Sequence, residues 1–196
     1  MKVNKAVFFS FPVVSLLLIA AALPFASGML PTVWFTSERI DVHVYPEEIV
    51  VEGYYFYKNP FPFPVIQGFT IPFPVDKDHP EPAYVLVERL LPVKENIRIR
   101  RAFGNTGFET YFSAREEVEI RVTYLQEAGG MNATYILKTT QPWVRPLEDG
   151  VYTLYPHGTS IESSNYPIEL PGKTPGFRKA SFMPDRDWQF AWRRGS

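Results

Sequence analysis

Apolar and polar residues alternate with a period of two along most of the chain after residue 38. The segment 117–125 is the clearest instance, with four apolar side chains on one face: Val118, Ile120, Val122 and Tyr124. Ile40, Val42 and Val44 repeat the pattern, separated by polar residues. Because successive side chains of a β-strand point to opposite faces of its sheet, this period predicts strands with one buried face. No helical stripe of useful length follows residue 30, so the body is predicted to be all-β.

Further segments carry the strand signal and end at glycine, proline or asparagine turns. The predicted strands are 40–44, 49–58, 67–71, 84–90, 96–101, 108–112, 117–125, 133–140, 151–155, 160–165, 180–183 and 188–192. Gly129 and Gly130 are predicted to turn 117–125 back onto 133–140 as a hairpin. Many short strands of this kind are typical of an antiparallel β-sandwich with immunoglobulin-like architecture. The sequence contains no cysteine, so the disulfide of antibody domains is missing and only the architecture is predicted.

The N-terminus combines a basic start with a long apolar stretch. Lys2 and Lys5 are followed by 21 uncharged residues, 6–26, and the last of these begins a run of small residues, 26–28. A secretory signal has this order, but signal cores run about 7–15 residues, whereas about 20 helical residues span a bilayer. A retained signal-anchor is therefore favoured, a cleaved signal peptide is the alternative, and a buried helix is the third interpretation. In the first two cases the lysines stay in the cytoplasm and the body crosses the membrane.

These features divide the chain into four parts. They are a cytoplasmic basic start (1–5), a transmembrane signal-anchor or signal peptide (6–28), a juxtamembrane linker (29–37) and an extracytoplasmic β-sandwich domain (38–196). The protein is expected at the membrane, with its body in the periplasm or outside the cell. Trp34 and Phe35 are predicted to lie at the outer membrane–water boundary, where aromatic residues concentrate. The formal net charge of −1 offers no bulk attraction for nucleic acid.

A stretch rich in proline and phenylalanine, 59–82, interrupts the alternation. It holds seven of the 19 prolines and repeats Pro-Phe-Pro at 62–64 and 72–74. Since proline cannot donate a hydrogen bond to a neighbouring strand, an edge strand with flanking loops is predicted here. Aromatic residues on such an edge are candidates for a partner surface, here Phe61, Phe63 and Phe73. The alternative is that they cap the core.

Two further groups are candidates for an interaction surface. Trp188 and Trp192 share one face of the last strand, and with Trp143 they could form an exposed platform for glycan, protein or membrane. Packing of these rings in the core is the alternative. Arg98 and Arg100 alternate with isoleucines, so both point outward, towards acidic lipid headgroups or the carboxylates of a partner. An ordinary solvated face is the alternative for the arginines.

The sequence contains no recognisable catalytic or metal-binding arrangement. His43, His79 and His157 share no ligand spacing and are predicted to lie on the surface. Asp185 and Asp187 are the nearest candidates for a carboxylate pair, although such residues commonly accept backbone hydrogen bonds in turns. The acidic loop 76–81 could bind calcium but lacks the glycine and spacing of an EF-hand loop. We therefore expect no cofactor, no small-molecule substrate and no enzymatic activity.

Three motifs resemble those of a loosely defined group of uncharacterised exported bacterial proteins with immunoglobulin-like sandwiches. The motifs are Tyr57-Lys58-Asn59-Pro60, Pro72-Phe73-Pro74-Val75-Asp76 and Phe182-Met183-Pro184-Asp185-Arg186-Asp187-Trp188. The resemblance spans most of the body. It implies a fold, but no activity and no catalytic residue.

The leading functional hypothesis is a non-catalytic accessory or structural subunit of a membrane protein complex, which docks its β-sandwich on partner proteins. It depends on the long apolar leader and on the aromatic, proline-rich edge. The second hypothesis is a free secreted or periplasmic module that binds glycan or protein. The third is a carboxylate-dependent hydrolase, which requires Asp185, Asp187 or the loop 76–81 to line a polar pocket.

Overall fold

The structure is a computed structural model that describes residues 31–168 and 174–195. One compact unit comprises Val33–Ser196. The predicted basic start and apolar leader, 1–28, lie outside the described residues. Within the described ranges, no helix has the length and apolar character needed to cross a bilayer.

The described part of the chain is β-rich, as the alternation predicts. Its strands are β1 (Trp34–Val44), β2 (Glu48–Lys58), β3 (Val65–Pro72), β4 (Tyr84–Leu91), β5 (Glu95–Asn96), β6 (Arg100–Ala102), β7 (Asn105–Phe112), β8 (Glu117–Glu127), β9 (Asn132–Tyr135), β10 (Leu147–Pro156), β11 (Thr159–Ser164), β12 (Gly176–Phe182) and β13 (Trp188–Arg194). A 3₁₀ helix, Lys138–Trp143, lies between β9 and β10. Strand β1 begins at Trp34, inside the predicted linker 29–37. The folded domain therefore starts before the predicted boundary at residue 38, and Phe35 already packs in its core.

Seven strands form one large sheet, in the order β12-β10-β1-β2-β8-β4-β5. Most neighbours are antiparallel, but β1 and β10 run parallel, with Glu38 opposite Gly150 and Val42 opposite Leu154. The prediction of an antiparallel sheet is therefore wrong for this pair. One edge of β1 is occupied by its hairpin partner β2. The strand on the other edge comes from far along the chain, and a long crossover permits the parallel direction.

The remaining strands form two three-stranded sheets, ordered β11-β13-β9 and β3-β7-β6. Strand β3 lies at an edge, as the flanking prolines predict. Aromatic contacts join both small sheets to the large one. The ring centroids of Tyr57 in β2 and Phe69 in β3 are 4.8 Å apart, and those of Tyr152 in β10 and Trp188 in β13 are 5.9 Å apart. The hydrophobic core therefore includes residues of all three sheets.

Two predictions about strand pairing are wrong. Gly129 and Gly130 do form a turn, but β8 and β9 do not pair, because both edges of β8 are occupied by β2 and β4. Strand β9 pairs with β13 instead. The predicted strand 96–101 is divided between two sheets, since β5 pairs with β4 and β6 pairs with β7.

Candidate interaction surface

Four residues predicted to lie on an interaction or membrane surface belong to the core instead. They are Phe35, Phe73, Trp188 and Trp192. The ring of Phe73 packs edge-on against Tyr124 of β8, with 5.0 Å between centroids. The face that Trp188 and Trp192 share is the inner face of β13, the middle strand of its sheet. These four side chains are therefore not accessible to a partner in this fold.

Trp143 is half-buried and closes one end of the core. It is the last residue of the 3₁₀ helix, and its ring lies 5.7 Å from Phe35, 5.4 Å from Tyr57 and 5.9 Å from Phe69. Three aromatic partners on the protein side leave only part of the indole exposed. Trp143 is therefore not a free aromatic platform.

Phe61 and Phe63 lie in a loop that the buried side chain of Asn59 holds in place. Asn59 Nδ2 donates to the carbonyl oxygens of Phe63 (2.8 Å) and Ser113 (2.7 Å). Its Oδ1 accepts the N–H of Phe61 (2.9 Å). The two phenylalanine rings stack with 5.1 Å between centroids. Phe61 is half-buried, and Phe63 is presented to solvent, as a partner surface requires.

Four exposed apolar residues, Ile66, Leu91, Val93 and Tyr111, form a group that we call the outer patch. Ile66 of β3 and Tyr111 of β7 lie directly opposite each other in their sheet and are 64% and 52% exposed. Leu91 and Val93 lie at and just after the end of β4. Single apolar residues on a surface are ordinary, whereas a cross-strand pair such as Ile66 and Tyr111 with further exposed apolar residues nearby is a candidate contact surface.

Arg89 holds the two halves of the outer patch together. Its Nη1 donates to the carbonyl of Tyr111 (2.9 Å), and its Nε donates to the carbonyl of Leu91 (3.2 Å). Its Nη2 lies 2.9 Å from the carboxylate of Glu116, and both side chains of this ion pair are mostly shielded from solvent. Arg89 therefore connects Leu91 of the large sheet to Tyr111 of a small one.

The remaining predicted surface residues are exposed. Arg100 Nη2 lies 3.1 Å from Glu109 Oε1. Arg98 is exposed and makes no ion pair within residues 31–168 and 174–195. Trp34 is partly exposed, and the guanidinium of Arg145 lies 4.1 Å from the centroid of its ring. Of the predicted membrane-boundary pair, Trp34 is thus accessible and Phe35 is not.

The core contains a carboxyl group that the sequence analysis missed. Glu38 is 4% exposed, and the hydroxyl of Tyr152 donates to its Oε1 (2.5 Å). Gly150 makes this contact possible, because a Cβ at that position would lie 2.7 Å from the Tyr152 hydroxyl oxygen. Burial raises the pKa of Glu38 from 4.5 to about 7, although the hydrogen bond from Tyr152 lowers it. Glu38 has the same parity as Ile40 and Val42 in β1, so the alternation already placed it on the inner face.

Two of the three histidines are brought together although their spacing in sequence gives no hint of it. His43 Nδ1 and His157 Nε2 are 2.9 Å apart. The ring of His157 stacks on Tyr45 (4.5 Å between centroids), and that of His43 stacks on Tyr155 (4.9 Å). The contact joins the end of β1 to the turn after β10. The parallel pairing of these strands, which the sequence does not predict, creates it.

The acidic loop 76–81 is a turn closed by Asp76. Its Oδ1 accepts the N–H groups of Asp78 (2.8 Å) and His79 (2.9 Å) and lies 2.8 Å from His79 Nδ1. The backbone hydrogen bond from Asp78 and the side chain of His79 lower the pKa of Asp76. His79 is buried, so its predicted surface position is wrong. Its Nε2 lies 2.8 Å from the carbonyl of Asn132, which attaches the loop to β9.

The other carboxylate candidates do not converge. Asp187 Oδ1 accepts the N–H of Lys138 (3.1 Å), 49 residues away in sequence, so this carboxylate joins two distant segments rather than closing a local turn. Asp185 is exposed beside Arg186. Within the described parts of the chain, no group of three or more histidine, cysteine, aspartate or glutamate side chains is arranged to hold a metal ion.

An open depression of about 620 Å³ includes part of the acidic loop. Its charged lining residues are Glu47, Glu48, Lys77, Asp78, Glu127 and Arg194. Lys77 pairs with Asp78 (2.5 Å) and Arg194 with Glu47 (2.7 Å). The hypothesis of a carboxylate-dependent hydrolase requires a polar pocket of this kind. Two of the four carboxylates in its lining, those of Glu47 and Asp78, are already engaged in ion pairs with surface cations.

Comparisons with known proteins establish a likeness of fold alone. No protein-family model matches the chain, and no curated protein is significantly similar to it. A Legionella pneumophila protein, provisionally described as a nutrient-binding protein, has a similar structure, with a TM-score of 0.62 and 15% identity over 83% of this chain and 67% of that one. An M1 zinc metallopeptidase from Deinococcus radiodurans gives a TM-score of 0.43 and 6% identity over 82% of this chain and 42% of the peptidase. The chain spans less than half of the peptidase. The feature that it shares with the Legionella protein is a β-rich fold.

Proposed function

We propose that this protein is a membrane-tethered, non-catalytic docking module whose extracytoplasmic domain, an immunoglobulin-like sandwich, binds partner proteins of a membrane complex. The outer patch is the observation that carries the proposal. Its apolar side chains are exposed, and Arg89 donates to the backbone carbonyls of two of its residues, Leu91 and Tyr111. A fixed apolar face loses little conformational entropy when a partner covers it, so more of the contact energy remains for binding. The bilayer-length stretch 6–26 supports the tether.

The charge next to the outer patch favours a partner with an acidic rim. Arg98, five residues after Val93, is exposed and makes no ion pair within the described residues. The neighbouring cations are already engaged: Lys94, Arg100 and Arg101 lie 3.5, 3.1 and 3.8 Å from the carboxylates of Glu88, Glu109 and Glu81. Arginines around an apolar centre are common in protein interfaces, where they steer association and pair with carboxylates of the partner. We therefore expect the partner to present an apolar anchor with an aspartate or glutamate placed to pair with Arg98.

Site-specific photo-crosslinking in the native cells tests the docking surface. A photo-reactive residue at position 66 or 111 is expected to form the same adduct with one membrane-complex protein. The matched control is position 103, which is at least as exposed but lies in the turn between β6 and β7, at the opposite end of β7 from Phe112. Tyr111→Asn is expected to lower recovery of that partner about ten-fold, the equivalent of 1.4 kcal/mol, whereas Phe103→Asn leaves it unchanged. A chain that is monomeric after gentle extraction and forms no adduct at 66 or 111 contradicts the proposal.

The mass of the mature N-terminus separates the tethered form from a released one. An intact Lys2 region in protein isolated from membranes is expected for the docking module. A mature chain that begins after residue 28 instead supports the free secreted or periplasmic binding module, because only a cut after Gly28 places small residues at both key positions of a cleavage site.

A further inference from the structure

Val144 has a backbone conformation that does not suit its side chain. It follows the 3₁₀ helix with φ +62°, and its N–H donates to the carbonyl of Gln141 (3.0 Å). A β-branched residue is a genuine outlier in this left-handed region, which glycine and asparagine adopt far more readily. The side chain is also 82% exposed, so core packing does not explain why valine is present. Backbone strain of this kind concentrates at functional contacts, so at an exposed position it indicates a contact with something outside the domain.

Val144 belongs to a group of exposed apolar residues at one end of the domain. Trp34, at the start of β1, lies opposite Lys58 at the end of β2. The loop that presents Phe63 begins at the next residue, Asn59. Arg145, adjacent to Val144, has its guanidinium over the Trp34 ring. We call Trp34, Phe63 and Val144 the domain tip.

Two arginines at the tip lack a carboxylate partner. The guanidinium of Arg145 contacts the face of the Trp34 ring, and Arg115 Nη1 donates to the carbonyl of Pro60. In residues 31–168 and 174–195, neither arginine forms an ion pair with aspartate or glutamate. By contrast, Lys58 nearby is paired with Glu117 (2.7 Å). The tip therefore presents apolar side chains together with two guanidinium groups that can pair with an anion.

We infer that the domain tip lies in the lipid–water interface, with Trp34, Phe63 and Val144 among the headgroups and Arg115 and Arg145 against lipid phosphates. The inference rests on the membrane tether of the proposed function. Only residues 27–33 separate the uncharged stretch 6–26 from Trp34. Even fully extended, a linker of that length reaches about 25 Å. With 6–26 anchored, as the proposed function has it, this chain length bounds the distance between Trp34 and the lipid.

The chemistry of the tip suits a lipid surface. Tryptophan concentrates at membrane–water interfaces, where its amphipathic ring lies at the level of the headgroups, and arginine is attracted by anionic lipid headgroups. Phe63 and Val144 add apolar area beside them. Three different chain segments contribute one apolar side chain each, so the tip is a set of loop ends rather than a sheet face. The outer patch, on β3, β7 and the end of β4, remains available for a protein at the same time.

Fluorescence quenching of the full-length chain in vesicles tests the inference. The vesicles contain phosphatidylcholine with or without phosphatidylglycerol, and their acyl chains carry bromine just below the headgroup. Comparison with Trp34→Phe isolates the Trp34 signal, because Trp188 and Trp192 are buried and Trp143 is half-buried. We expect bromine to quench Trp34. Val144→Asn is expected to lose most of this quenching. The double variant Arg115→Gln with Arg145→Gln is expected to show quenching of Trp34 that no longer depends on phosphatidylglycerol.

Phe103→Asn is the matched control, since Phe103 is also 82% exposed but lies in the distant β6–β7 turn. It is expected to leave the quenching of Trp34 unchanged. Asparagine suits the left-handed backbone at position 144, so Val144→Asn is expected to raise the unfolding temperature, which separates lost membrane contact from lost folding. If the chain floats with the vesicles but Trp34 is not quenched, the tip inference is wrong and the tether stands. If the chain does not float with vesicles, both are wrong.

Discussion

Replacement of Glu38 by glutamine measures what a buried carboxyl does to the stability of this domain. Burial raises the pKa of Glu38 from 4.5 to about 7. A raised pKa means that the folded state holds the proton more tightly than the unfolded chain. The stabilisation from Glu38 is therefore complete below pH 4.5 and is lost as the pH rises towards 7. At about 1.4 kcal/mol per pKa unit, the loss across this window is about 3 kcal/mol.

Urea unfolding of the wild type and Glu38→Gln, followed by tryptophan fluorescence over a series of pH values, tests this calculation. Glutamine keeps an oxygen that can accept the hydroxyl of Tyr152 and carries no charge. The two proteins are expected to have similar free energies of unfolding near pH 4.5. Above pH 7 the variant is expected to be more stable by about 3 kcal/mol. Contributions from other titrating groups cancel in the difference.

Glu119→Gln is the matched control, because Glu119 lies on β8 of the same sheet and faces away from the core. Its difference from the wild type is expected to change little over the same pH range. A constant difference between Glu38→Gln and the wild type would refute the argument, since it would mean that folded and unfolded chains bind the Glu38 proton equally well.

Three further substitutions test the contacts that shape the candidate surfaces. Arg89→Ala leaves the shielded Glu116 carboxylate unpaired, so urea unfolding should show a loss of about 3 kcal/mol; a loss below about 1 kcal/mol, as for a surface pair, contradicts this. Asn59→Ala removes three hydrogen bonds of a buried side chain, and we expect thermal unfolding to show a loss of about 2 kcal/mol, with faster proteolysis near Phe63. Val144→Asn relieves the left-handed strain and should stabilise the domain by about 1 kcal/mol. Val144→Ile, which keeps the β-branch, serves as its control and should bring no gain.

Strands and their buried faces follow from the sequence because each depends on neighbouring residues only. The period of two in β8 reports which side chains face the core, and the same rule, applied to β1, would have placed Glu38 inside. It would also have placed Ile66 on the opposite face from Phe69, which identifies part of the outer patch. A charged residue at a core position is thus a signal that an alternation pattern can reveal.

Pairing between distant strands does not follow from such local patterns. Gly129 and Gly130 predict a turn correctly, yet β8 already has two neighbours and cannot accept a third. The shared face of Trp188 and Trp192 is evident in the sequence, but only the sheet order shows that this face is inward. The contact between His43 and His157 likewise requires the register of β1 against β10.

The position of β1 has a consequence for the order in which the domain forms. This strand precedes every other described strand in the chain, yet one of its two neighbours is β10, more than a hundred residues later. Until that segment arrives, one row of backbone donors and acceptors along β1 stays unpaired and open to other chains. A pairing so distant in sequence closes slowly, so an incomplete chain of this domain is expected to be prone to aggregation until β10 has been made.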